Sequence, residues 1–521
     1  MSSSTATKSS ESFRESGIKN IAISVVVAAL SFYSLTLVAW KFGGSTGSDA
    51  YFFLFSLTTL ASGMISSLFA AVFLPVFVEL KIRAGVTEAS EFAGSILTWC
   101  ILLILPLGIA AYVSYDAFYS MVSKFTHAQI IDVRFVLIYF APIFVISVLS
   151  EFFRTLVLAL GQYTSAAIGA VFQPAFLILS LFLLSGHLQE ESLALSLLIA
   201  KLAVLVFMFI VVIKKERLRI PLLLKRNAAT SRFVKVSAPY WGANLITNLA
   251  TFFFDYMATG LGAGVLTSIS YAQRIFTLPT TLILNPILEI AYTKFSESHA
   301  RKDSKTFSMH YNKLLQLVLY LTIPIAALYF FIPEIIISSL FQRGAFGKEG
   351  VSIAASSLKV FAFSVPLVCL FMVNGRACES FQRLVWPSFF GTIGNLMMIG
   401  ATLFFVERMG YLGIPYARLA MYLLFFLPFG FVALYLFAGK LNLSSVWKSG
   451  TTALVASLLP ISAYFYSGLN IKLEPLFPAL WLLGAIFCCF AVSYATLVML
   501  IDRRIYSILR SEAAKYIRWV A

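Results

Sequence analysis

Charge is what this sequence has least of: Asp, Glu, Lys and Arg make up 12% of 521 residues, against 60% hydrophobic ones. A soluble domain of that length needs far more charge to cover its surface, so a water-soluble chain is excluded. Cysteine and histidine are scarcer still. The five cysteines (Cys100, Cys369, Cys378, Cys488, Cys489) lie in or beside apolar runs without CxxC or Cys/His spacing, and the four histidines (His127, His187, His299, His310) fall in connections or at their edges. That pattern excludes a disulfide framework and a zinc site. There is no Walker A loop, HExxH motif or Ser/His/Asp order. Gly260, Gly262 and Gly264 join two apolar runs with no strand before them, so they form a turn rather than a dinucleotide fingerprint. The chain is expected to be no enzyme, to hold no metal and to need no organic cofactor.

What is abundant is uninterrupted apolar sequence. Runs of about 20 residues, each enough to cross roughly 30 Å of hydrocarbon, recur from Ile21 to Ile501. They lack the short alternating pattern of an outer-membrane barrel, so helices are the expected spans. An all-α membrane protein of about 14 transmembrane helices follows, with spans beginning near Ile21, Ala50, Ala93, Val133, Thr164, Leu193, Ser237, Ser268, Leu314, Ala354, Ser388, Leu412, Thr451 and Leu476.

The formal net charge of +16 sits in alternate connections. Lys8, Arg14 and Lys19 precede the first span, Lys81 and Arg83 follow the second, and a basic run from Lys214 to Lys235 follows the sixth. Lys294, Arg301, Lys302 and Lys305 follow the eighth, and Arg503, Arg504, Arg510, Lys515 and Arg518 the last. Alternation of this kind predicts cytoplasmic ends and an even number of spans, and it explains the positive charge without nucleic acid. No cleaved signal peptide is read in the polar first twenty residues.

The expected organisation is a cytoplasmic tail over 1–20, a six-helix lobe over 21–213, a basic linker over 214–236 and a second six-helix lobe over 237–439. Two further helices occupy 440–501, and a tail over 502–521 places Ile505, Ile508, Leu509, Tyr516 and Trp519 near one helical face for contact with the cytoplasmic leaflet. The lobes read as pseudo-symmetric repeats. The run from Gly47 to Glu79 has a counterpart about 220 positions on, from Val265 to Glu297, and Gly161-Gln162-Tyr163 is matched by Phe381-Gln382-Arg383 at nearly the same offset. Repeated lobes about a midplane site are a recurring plan of secondary transporters.

Ionisable groups inside spans are costly, and so are candidates for function. Arg274, early in the eighth span, has an apolar or small counterpart in the first half, so repeat symmetry supplies it no partner; its forked donors suit a diphosphate. Lys359, Arg376 and Arg418 are further candidate cations, although Arg376 and Glu379 are spaced to pair on one helix. Arg154 and Lys201 are expected at the cytoplasmic boundary, snorkelling to headgroups. Asp49, Glu151, Glu289 and Glu379 supply acids. Asp255, with Asn244 and Asn248 before it, is either a sodium or proton site or an acid at a helix end.

These motifs resemble the MurJ/MviN lipid II flippases of the MOP exporter superfamily, through FGGSTGSDAYFFLFSL and FLPVFVELK in the first half, SISYAQRIFTLP at the eighth span and LFQRGAFG from Leu340 to Gly347. The resemblance implies a V-shaped central cavity with a cationic floor for a diphosphate, a groove for a polyprenyl tail beside the last two helices, Asp49 and Arg274 as substrate-side residues, and Asp255 at a sodium-ligand position. It also implies charges that are missing: Ser34 and Leu35 stand where the family has an Arg-Asp pair, and Ser62 where it has an arginine. The expected function is therefore flipping of a polyprenyl-diphosphate-linked saccharide, as lipid II or an exopolysaccharide or O-antigen unit, across a bacterial inner membrane. Its expected partners are that substrate, membrane lipids and the glycosyltransferases or polymerase of envelope synthesis, with sodium or a proton as coupling ion. A MATE-like exporter of amphipathic cations and a non-transporting scaffold are the alternatives.

Overall fold

The computed structural model describes residues 3–215, 218–224, 228–381, 385–438, 443–466 and 477–501. Among them every regular element is a helix. The long helices are α1 (Ser3–Phe42), α2 (Thr46–Arg83), α3 (Val86–Val113), α4 (Arg134–Ala159), α5 (Tyr163–Leu188), α6 (Glu191–Lys214) and α7 (Ala228–Ala258). They continue as α8 (Val265–Ala300), α9 (Ser304–Phe331), α10 (Lys348–Ser380), α11 (Val385–Met409), α12 (413–438), α13 (Leu443–Tyr466) and α14 (Phe477–Ile501). Eleven stretches of the described residues are long and apolar enough to cross a membrane. One of these, Phe389–Val432, holds both α11 and α12, turned about the tight helical turn Gly410–Leu412. With α7 and α13, which are also of spanning length, each of the expected spans has its helix. Several helices start earlier than the apolar runs do, α9 at Ser304 rather than Leu314 for instance, because polar first turns extend past the hydrocarbon.

Short helices that hydropathy does not reveal lie between the spans: Tyr115–Val122 and His127–Asp132 after α3, and Pro333–Phe341 after α9. Caps fix several starts. Ser45 and Ser48 exchange side-chain and backbone hydrogen bonds at the head of α2, and Asp303 accepts from the Lys305 and Thr306 amides at the head of α9. The Thr306 hydroxyl and amide hold the Asp303 carboxyl below the usual carboxylate range.

Four spans contain a π-helical stretch, a geometry frequent at functional sites. In α2 it is Phe69–Phe73, in α6 Val211–Lys215, in α8 Pro279–Leu284 and in α12 Tyr422–Phe426. Helices α2 and α8 begin 219 positions apart and α6 and α12 begin 222 apart, while the π stretches within each pair begin 210 and 211 apart. In both pairs the second-half helix loosens about one-third of a span earlier. The second member of the repeat's turn, Gln382-Arg383, lies outside the described residues, as does the tail 502–521.

Contacts divide the chain into residues 1–267 and 268–521, so the border falls inside the first turn of α8 and not in the basic connection. In the first unit α2 packs on α4 and α7, α6 on α4 and α5, α1 on α5, and α3 on α4. Its core is a stack of rings: Phe73 lies 5.8 Å from Phe77, 5.5 Å from Phe92 and 5.3 Å from Phe152. In the second unit α9 packs on α10 and α13, α8 on α10, α11 on α12, and α13 on α14, around Phe295, Phe307, Tyr311 and Val373. Lipid offers these faces the same apolar surroundings, so the association rests on close packing rather than on escape from water. Phe73→Ala, which empties a fully buried ring site, is expected to cost about 3 kcal/mol of stability, read as a lowered unfolding midpoint in detergent.

Candidate functional site

Asp49 is buried near the head of α2, and its carboxylate is fully engaged. One oxygen accepts from the Gly264 amide at 2.6 Å; the other accepts from the Thr267 amide at 2.7 Å and the Thr267 hydroxyl at 2.6 Å. These are the orphan donors at the start of α8, where the helix dipole also favours negative charge. The carboxylate is thus an N-cap supplied from another helix. Asp49, expected on the substrate side, is bonded in this structure to the head of α8. Gly264 lies here at φ +78, where a side chain is strained and a Cβ would run into the Gly44 carbonyl, so the α1–α2 and α7–α8 turns touch backbone to backbone.

Arg274 is exposed on α8, two turns past that cap, while Tyr271, Ala272, Ile275 and Phe276 around it are buried. Tyr271 stacks on Phe341 at 4.6 Å and meets Phe346 edge-on at 5.1 Å, and the Tyr329 hydroxyl donates to the Ile275 carbonyl at 3.0 Å. The SISYAQRIFTLP and LFQRGAFG segments are therefore packed together, and they fix the helix face that carries Arg274. The side chain is not without a partner in the protein, which corrects the inference from repeat asymmetry that it stands alone.

Two more candidate cations are held internally. Arg376 donates to Glu289 and to Glu379, both at 2.9 Å, so a pair expected on one helix is a three-residue group bridging α10 and α8. With two carboxylates about it, it is not an anion contact in this structure. Arg418 is 8% exposed, with its guanidinium 5.8 Å from the Phe276 ring centroid and 5.5 Å from that of Phe361. It joins α12 to α8 and α10 through aromatic faces. Lys359 differs. It is exposed over Phe330 at 5.0 Å and lines a cavity of about 380 Å³ with Phe331, Glu334 and Ser356.

The Asp255 carboxylate accepts a hydrogen bond from the Ser56 hydroxyl, linking α7 to α2. Asn248, one helical face back, is half-buried, and the Asn244 side chain lies outside the described residues. No cluster of three or more His, Cys, Asp or Glu side chains fit for a metal occurs among the described residues.

One group escaped the sequence reading. Ser66 on α2 and Glu151 and Arg154 on α4 converge: Glu151 accepts from Ser66 at 2.9 Å and from Arg154 at 2.8 Å, and Arg154 reaches Ser66 at 3.3 Å. Spacing signals the Glu151–Arg154 pair; nothing in sequence signals that Ser66 joins it.

A family model described as "Lipid II flippase MurJ" matches residues 38–491. The chain belongs to the MurJ lipid II flippase family. Two relatives in the family are a probable lipid II flippase MurJ of Aquifex aeolicus, 26% identical over 82% of this chain and 88% of that one, and the lipid II flippase MurJ of Burkholderia cenocepacia, 25% identical over 68% and 70%. The fold is that of a lipid II flippase MurJ solved in an inward closed conformation, with a TM-score of 0.79 at 18% identity over 93% of this chain and all of that one. It is also that of an inward-facing MATE transporter of the MOP superfamily, with a TM-score of 0.64 at 14% identity over 83% and 95%. The chain is accordingly a multi-pass membrane protein of that family. Asp49→Ala in this family member is expected to cost about 2 kcal/mol, and Asp49→Asn less, because the amide oxygen still accepts one bond. Thermal unfolding and amide exchange at Gly264 and Thr267 check this; unchanged exchange in Asp49→Ala would remove the capping role.

Proposed function

We propose that this chain flips a polyprenyl-diphosphate-linked saccharide from the cytoplasmic to the outer leaflet of a bacterial inner membrane, with both termini cytoplasmic. The observation that carries the reading is Arg274, an exposed guanidinium early in α8, just ahead of a π-helical stretch, in a chain of the lipid II flippase family. Its planar fork matches diphosphate oxygens two at a time, and a multiply charged ligand offsets the loss of hydration that a cation suffers between apolar helices. Lys359, over the Phe330 ring, is a further exposed cation of the same unit.

Translocation makes and breaks no bond, so the work is alternating access of the bound substrate to the two faces of the membrane. A proton or sodium ion supplies the drive, and Asp255 with Ser56 and Asn248 is the set of oxygens we assign to it. The latch of Asp49 on the head of α8 holds one state, and its release accompanies the other.

Lipid II is the cargo that the names of the relatives support. A specific observation favours a second cargo, a unit of exopolysaccharide, capsule or O-antigen. Ser34, Leu35 and Ser62 bring no charge to α1 and α2, and the Ser34 hydroxyl is spent on the Ser31 carbonyl at 2.8 Å. Enzymes that build or polymerise that saccharide are the partners this implies.

In proteoliposomes carrying a fluorescent polyprenyl-diphosphate saccharide, Arg274→Ala is expected to slow flipping more than tenfold and Arg274→Lys less, since lysine keeps the charge but loses the fork. Parental flipping by Arg274→Ala would reject the reading. Depletion in cells separates the cargoes: lysis marks lipid II, and loss of a surface polysaccharide with intact walls marks the second.

A further inference from the structure

An apolar groove opens on the flank of the first unit and holds none of the charged groups given a role above. It lies between α2, α3 and the opening turns of α7 and encloses about 580 Å³, a volume within the ordinary range of ligand sites. Phe69 and Ile96 form its buried floor, while Trp99 and Leu103, each at least half exposed, flank its mouth. The polar lining residues, Thr230, Ser231 and Lys235, all come from α7, so one end of the groove is polar and the rest is not. The walls are fixed without any ligand. Arg232 donates to Glu79 at 3.0 Å and ties the start of α7 to the end of α2, and Phe233 meets Phe92 of α3 edge-on at 6.3 Å. Pro221 lies against α3 at Gly94, where a Cβ would strike its carbonyl, so the chain leading into α7 is strapped to the same wall. Glu79 also takes Arg83 at 2.9 Å, and Lys235 is the charged residue that the groove itself presents.

Such a groove does not stay empty in a membrane. Its apolar walls offer water no hydrogen-bond partners, whereas an acyl chain entering from the side gains dispersion contacts along its whole length. The lysine at one end then decides which lipid is preferred. We infer that the groove is a seat for an anionic phospholipid of the bilayer, with an acyl chain between Phe69, Ile96 and Trp99 and its phosphate on Lys235 and the Ser231 hydroxyl. Charge complementarity carries the choice of occupant: one ammonium answers the single charge of a phosphodiester, and a lipid diphosphate would bring more charge than this rim meets. The place in the chain agrees with that choice. Lys235 ends the basic connection and Arg83 ends α2 on the same side, and anionic lipid gathers where such clusters meet the membrane. A phospholipid held there fills the gap between α7 and α3 and braces one against the other. The inference does not depend on which saccharide the chain carries.

The test uses full-length protein in phosphatidylcholine nanodiscs, with tryptophan fluorescence quenched by brominated acyl chains as the readout. The difference between the parent chain and Trp99→Phe isolates the signal of Trp99. Brominated phosphatidylglycerol is expected to quench Trp99 at about one-fifth of the mole fraction that brominated phosphatidylcholine needs, and high salt to narrow the gap. Lys235→Gln, at an exposed position, is expected to abolish that preference and leave quenching by phosphatidylcholine as it was. Cys100→Phe, which fills the groove, is expected to abolish the preference with Lys235 still in place. Equal quenching by the two lipids in the unmodified protein overturns the site. So does a preference that survives Lys235→Gln or a folded Cys100→Phe, and Lys235→Gln decides alone if Cys100→Phe folds poorly. Displacement of brominated phosphatidylglycerol by an equimolar polyprenyl diphosphate gives the groove to the lipid-linked substrate and overturns the phospholipid assignment.

Discussion

A charge set among apolar helices must be met by another polar group, and this requirement fixes which helices of the chain are joined and where. Each intramembrane charge whose partners are described is met differently. Asp49 is met by the head of α8, Arg376 by two carboxylates, Arg418 by two aromatic faces, and Glu151 by an arginine and a serine. Each solution crosses from one helix to another, which matters because lipid supplies no hydrophobic drive for helices to associate. The ring stacks around Phe73 and Phe307 add close packing, but packing is sequence-tolerant. A buried carboxylate that accepts from two named amides is not, so the polar ties set register where the apolar faces would allow sliding.

The same requirement explains what the sequence could reveal. Spans are legible because hydrocarbon thickness is written into run length, and the turn at Gly260–Gly264 because glycine permits it. Short helices such as Tyr115–Val122 are too brief to leave a hydropathy signal. The role of Asp49 was hidden because its partners lie 215 and 218 positions away, and local pattern carries no such distance. Glu289 and Arg376, 87 positions apart, were hidden for the same reason, whereas the Glu379 contact, three residues off, was visible. For Arg274 the fold explains the exposed face: Tyr271, Ile275 and Phe276 are taken by core contacts, and the remaining side of the helix is left to the guanidinium.

The π-helical stretches suggest how rigid ties coexist with a moving carrier. A widened turn breaks the regular ladder and gives a helix a place to bend without unwinding. In α2 the stretch begins three residues after Ser66, in α8 five residues after Arg274, and in α12 four residues after Arg418. In these three helices a polar residue precedes the loosened turn, and the second-half stretches come earlier along their helices than those of the first half.

Under the proposed function, cargo choice turns on how the charges of the spans are held. Arg376 and Arg418 are consumed by the protein itself, and α1 and α2 contribute serine and leucine where the resemblance implies charge. A diphosphate carries the same charge whatever sugar it bears, so its holders cannot be dispensed with, only moved. Arg274 and Lys359 are exposed cations of the spanning helices α8 and α10. Under the proposed function, the uncharged Ser34, Leu35 and Ser62 leave sugar selection at their positions to shape and hydroxyl contacts rather than to charge, which suits a neutral repeat unit at least as well as an anionic peptide-bearing one.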